Sequence, residues 1–108
     1  MILVTTMDVP GRTIRECLGL VRGNTVRSRH LGKDIGAALK GLVGGEVNEY
    51  TKLLAESREQ AIDRMVAEAR SKGADAIVAM RFASSEVARG SAELLVYGTA
   101  VKLEASGG

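Results

Sequence analysis

The chain has 108 residues, with 15 Lys and Arg against 13 Asp and Glu and a formal net charge of +2. That length suits one domain with a modest core that association would help, and the charge is too weak to carry nucleic-acid binding by itself. Aromatic residues make up 3 % of the chain, with no Trp, so the core is built from Val, Leu, Ile, Ala and Met and there is no aromatic platform for single-stranded nucleic acid.

Residues Ile2 to Thr5 read as a short β-branched strand, and Asp8-Val9-Pro10-Gly11 as a turn. The N-terminal stretch lacks the basic and apolar regions of a signal peptide, and no apolar run is long enough to span a bilayer. Residues 14–28 alternate as a strand, with Cys17, Gly19, Val21, Gly23 and Thr25 on one face. Gly19 and Gly23 mark a bulge or the close approach of another backbone. Cys17 is the single cysteine. It cannot form an internal disulfide, which points to a reducing, cytoplasmic setting. Its small neighbours predict a buried small hydrophobe.

The period becomes helical over about 31–42, where Leu31, Ile35, Ala38, Leu39 and Leu42 form one stripe that Gly44-Gly45 ends. A longer helix is predicted from about Asn48 to Lys72, with Gly73 as its stop. Its apolar face is Tyr50, Leu54, Ala61, Ile62, Met65, Val66 and Ala69, and its solvated face is Glu56, Glu59, Gln60, Asp63 and Arg70. Two strands follow, over about 75–84 and 92–104, with a polar hairpin region over 84–91. Residues 1–104 form one domain and 105–108 a small, polar tail.

These elements predict the α+β class. The expected fold is a mostly antiparallel four-stranded sheet, ββααββ in sequence order, with a hairpin at each end and two helices, one of them long, on one face. The last two strands are apolar on both faces, whereas a half-exposed sheet alternates. A neighbouring subunit would cover the second face, or else one helix packs on each side.

Several phrases together carry a resemblance. They are Thr5-Thr6, Gly19-Leu20-Val21-Arg22-Gly23, Gly44-Gly45-Glu46 with Tyr50, Arg58-Glu59-Gln60-Ala61 with Met65, Gly73-Ala74-Asp75-Ala76 and Tyr97-Gly98-Thr99-Ala100-Val101. In this order the chain resembles the YbjQ-like family of bacterial and archaeal proteins, which carries a heavy-metal-binding label. The resemblance implies a subunit that assembles with itself into a ring, expected to be a homopentamer, and it brings no established reaction. The family's shared positions map onto Gly44, Gly45, Glu46, Tyr50 and Arg58.

The residues themselves lend the metal label little support. A divalent or soft metal ion wants thiolates and imidazoles together, and the chain offers Cys17 and His30 with four methionines. A ring would be needed to gather symmetry copies of such ligands. Arg58 falls in the middle of the stripe formed by Leu54, Ile62, Met65 and Ala69. A charge there needs a partner, and Glu46, Glu49, Glu86, Glu93 and the Tyr50 hydroxyl are candidates. One reading is a structural ion pair that fixes the assembly. The other is an interface pocket lined by Glu46, Tyr50 and Arg58. Gly44-Gly45-Glu46 could cradle an anion at a helix start, though a sharp turn explains it equally. The basic stretch of Arg22, Arg27, Arg29, His30 and Lys33 is diluted by Asp8, Glu16 and Asp34, so it reads as a solvated edge and nucleic acid is not an expected partner. No nucleophile–base pattern is present, and the sequence reads as that of a non-enzymatic protein. A ligand bound between subunits and a ring surface presented to a protein partner are the two roles it leaves open.

Overall fold

The computed structural model describes residues 1–28, 47–88 and 91–105. Four strands and one helix are described in the order β1 (Ile2–Leu3), β2 (Ile14–Ser28), α1 (Val47–Ser71), β3 (Ala76–Ala88) and β4 (Ser91–Leu103). The helix expected over 31–42 lies outside the described residues. One sheet holds the strands in the spatial order β1-β3-β4-β2. β4 is antiparallel to β2 and β3, and β1 runs parallel to β3. The α+β class is as expected, but the sheet is mixed.

The N-terminal hairpin is the part to correct. β1 and β2 lie on opposite edges of the sheet. The segment between them crosses the sheet's second face instead of turning back beside β1. The Pro10-Gly11 turn forms, with the Arg12 N–H donating to the Val9 carbonyl at 3.0 Å. The Glu104 N–H donates to the Thr13 carbonyl at 2.8 Å. Val9, Val4 and Ile14 pack there on Ala76, Val78, Val101 and Leu103. Part of the second apolar face is therefore covered by the chain's own N-terminal segment, neither by a helix nor by a neighbour.

On the other face α1 lies over β2. Ala61, Met65 and Ala69 meet Val21, Val96, Ala100 and Ile77, all fully buried. The helix comes down on Gly23. A Cβ built there would lie 2.0 Å from the Ala61 carbonyl oxygen and 2.6 Å from the Met65 nitrogen. Only a residue without a side chain admits that approach. The helix ends as predicted at Gly73, where the Ala74 N–H reaches back to the Ala69 carbonyl at 3.1 Å.

Two bulges re-aim side chains. The first lies in β2, where the pairing with β4 slips between Cys17 and Gly19 and Gly19 has φ 97°. It reverses the alternation upstream, so Leu18 packs toward the core and Cys17 is exposed. The reading of Cys17 as a buried small hydrophobe is thereby overturned.

The second bulge lies in β3 between Val78 and Arg81 and holds Ala79 at φ 54°. The Ala79 N–H donates to the Thr6 carbonyl at 2.8 Å and the Met80 N–H to the Val4 carbonyl at 3.1 Å. Gly98 faces it, and a Cβ there would lie 2.6 Å from Ile77 Cγ2. A left-handed alanine is strained. Ala79→Gly is expected to raise stability by about 1 kcal/mol, the relief of strain exceeding the entropy glycine adds to the unfolded chain. A urea titration with unchanged slope checks this, and a lower midpoint would contradict it.

β3 and β4 also outrun their expected limits. Ser84 and Ser85 pair with Leu94 and Glu93 instead of turning. Backbone pairing continues through polar residues where a face is open to water.

Candidate functional site

Register partners share a face. Gly23 on β2, Val96 on β4 and Phe82 on β3 stand in one row beneath α1. The helix covers the β2 end of that row, and Phe82 at the β3 end is 41 % exposed. Met80 and Leu94 beside it are half-buried.

The helix supplies the facing wall. Its Gln60–Arg64 flank points toward the β2 edge, where Arg64 Nη1 donates to the Asn24 carbonyl at 2.5 Å. The opposite flank carries exposed Arg58 and half-buried Ile62 and Val66. Leu54, one turn before Arg58, is 47 % exposed. Met80, Phe82 and Leu94 thus form an apolar strip, an open trough, on the side of α1 whose flank carries exposed Arg58.

Arg58 does not lie in the middle of the buried stripe. Seating the helix on Gly23 turns Ser57, Ala61, Met65 and Ala69 inward, which leaves Arg58 on the flank. Glu93, one candidate partner, lies on the other sheet face and accepts from Asn24 Nδ2 at 3.1 Å. Within one subunit Arg58 therefore needs no buried counter-charge. Arg58→Ala is expected to change the stability of the dilute, monomeric chain by less than about 0.5 kcal/mol. A larger loss by thermal unfolding at that dilution would show a structural role inside the subunit, and a loss seen only at high concentration would place the residue at an interface.

Of the other expected site residues, Tyr50 lies near the start of α1. Gly44, Gly45, Glu46 and His30 lie outside the described residues. Cys17 sits exposed on β2. Among the described residues no three His, Cys, Asp or Glu side chains gather as a metal centre. The described donor set of one subunit does not fit a metal ion. Phe82 was not singled out from the sequence. Its exposure follows from where the helix lands, and the only signal for that was the close-approach glycine at position 23.

A family model described as "Putative heavy-metal-binding" matches residues 1–104. The chain is 57 % identical over 103 residues to a UPF0145 protein of Thermosipho melanesiensis, covering 95 % of each chain. It is 55 % identical over 104 residues to a UPF0145 protein of Thermotoga petrophila, covering 96 % of this chain and 98 % of that one. A UPF0145 protein of Archaeoglobus fulgidus is 54 % identical over 103 residues, covering 95 % of each. A crystal structure of a protein of unknown function in the DUF74 family from Pediococcus pentosaceus is similar in fold, with TM-score 0.62, 15 % identity, and 96 % and 98 % of the two chains covered. Among the described residues no helix is long and apolar enough to cross a membrane.

Proposed function

The chain belongs to the family whose model carries the heavy-metal-binding description, and from that membership and the trough we propose a ring-forming cytoplasmic protein that binds a small ligand between subunits and catalyses no reaction. One observation carries the reading. The trough is an exposed apolar strip beside a sheet with an open edge on each side. β2 is one edge strand. On the other side the N-terminal segment bonds to β3 only as far as Met80, so beyond it, among the described residues, the outer edge of β3 has no strand beside it.

Unlike edges on opposite sides of a subunit suit head-to-tail contacts, which give a ring when the rotation between neighbours closes. Open edges left without a partner are an aggregation hazard. A neighbour docked on the β3 edge would cover Phe82 and Leu54 and place Arg58 at the junction, where an anionic ligand or a partner's carboxylate would meet it. The pentamer follows from the family resemblance.

Native mass spectrometry of the purified protein tests this. Five copies of the 11.4 kDa chain, with a bound small species, are expected. A monomer at micromolar concentration would overturn the ring. A pentamer without a small species but with a co-purifying protein would favour the second reading, a ring that presents a surface to a partner. The metal description is served, within this reading, only by ligands gathered from several subunits around Cys17 or His30. Calorimetric titration of the oligomer with zinc, cadmium and copper decides that point, and absence of saturable heat would retire it.

A further inference from the structure

The sheet face turned away from α1 carries a second feature that the trough does not use. Tyr97 on β4 pairs with Arg22 on β2 and with Arg81 on β3. The three side chains therefore stand in one row on one face, and all are exposed. Strands lie about 4.8 Å apart, which puts the two arginine backbones roughly 10 Å apart across the tyrosine. The positions flanking the row on this face are Leu20, Thr99 and Val78 on one side and Asn24, Leu95 and Ala83 on the other. None of them is acidic. Glu93, two rows away, is engaged by Asn24.

The two guanidiniums differ in how they are held. Arg81 Nη1 donates to the carbonyls of Thr5 and Met80, each at 2.8 Å. That anchors the group beside the row and leaves its Nη2 and Nε hydrogens to point elsewhere. The Arg22 guanidinium makes no hydrogen bond or ion pair among the described residues. Two cations on one face without a counter-charge between them repel each other where salt screens them little. An anion between them relieves that repulsion. Guanidinium forks match the oxygens of a phosphate, and the Tyr97 hydroxyl can donate a further bond.

We propose that the Arg22–Tyr97–Arg81 row binds a phosphate dianion, free or as the monoester of a small molecule. The row lies on the opposite sheet face from the trough and shares none of its residues, so its test reads the row separately from the trough.

The test is a titration of the full-length, isotope-labelled protein with inorganic phosphate, at ionic strength held constant with chloride, followed by the arginine side-chain N–H signals. Two arginine signals are expected to shift and saturate. Arg22→Gln removes one of them and weakens binding roughly tenfold or more, the scale of a lost charged hydrogen bond. Arg70→Gln, on the solvated face of α1 and outside both sites, leaves binding unchanged. A parallel titration with phenyl phosphate separates the two sources. Tighter binding than inorganic phosphate assigns an ester whose body lies on the Tyr97 ring, and equal binding assigns the free ion. Shifts that never saturate, or that survive Arg22→Gln undiminished, would overturn the site. So would a single-stranded oligonucleotide that binds with a steep salt dependence and is not displaced by phosphate, since the row would then serve nucleic acid.

Discussion

Gly23→Ala is expected to cost at least about 3 kcal/mol and to leave little folded protein at ambient temperature. Ordinary overpacking costs about 1–3 kcal/mol because a neighbouring side chain can change rotamer. Here the added carbon would sit 2.0 Å from the Ala61 carbonyl oxygen and 2.6 Å from the Met65 nitrogen, and 3.0 Å from Arg64 Cβ. Two of those atoms belong to the helix backbone and cannot rotate away. The helix must lift, and lifting it opens the packing of Met65 and Ala61 on Val21 and Val96. Urea unfolding followed by circular dichroism measures the loss. A decrease below about 1 kcal/mol would mean that the helix is not seated as described.

In the proposed ring, Phe82→Asp is expected to reduce the oligomer to the 11.4 kDa monomer while the subunit stays folded. Phe82 is already 41 % exposed, so the isolated subunit loses only part of one side chain's burial, on the order of 1 kcal/mol. A carboxylate placed in an apolar subunit contact instead costs several kcal/mol, since it is buried without a partner. Native mass spectrometry together with a thermal scan separates the two effects. An intact oligomer would show that Phe82 lies outside the interface. A monomer that is also unfolded would assign Phe82 to the subunit core.

Much of this architecture is legible in the residues. The long helix follows from its periodic stripe and from Gly73, and its solvated face of Glu56, Glu59, Gln60, Asp63 and Arg70 is exposed as read. Both roles offered for glycines in β2 occur, a bulge at Gly19 and a close approach at Gly23. What periodicity cannot supply is the rotation of a helix about its own axis. Leu54 and Ile62 bracket Arg58 in a helical stripe, yet contact is decided by which residues meet Gly23, and those are Ala61 and Met65. Periodicity also says nothing about partners distant in sequence. β1 and β2 are neighbours along the chain, with a Pro-Gly turn between them. A hairpin was the local solution, and the pairing of Ile2 with Ala76 is long-range. The parity of Cys17 was lost for a related reason. One bulge shifts the side chains upstream of it to the other face, here as far as the next irregularity between Ile14 and Glu16.

The spatial order of the strands has a consequence for how the protein is made. β4, the strand that joins β2 to β3, is the last to be synthesised, and Ile14 finds its partner only at Leu103. A chain emerging from the ribosome can form α1 locally, but it has no complete sheet for the helix to sit on until β4 has emerged. Folding is therefore dominated by distant contacts, which makes it slow for a chain of this size. Trimming the last strand is expected to abolish the whole fold rather than fray one edge, and a short C-terminal deletion series read by protease resistance would show a single sharp threshold near Val101–Leu103.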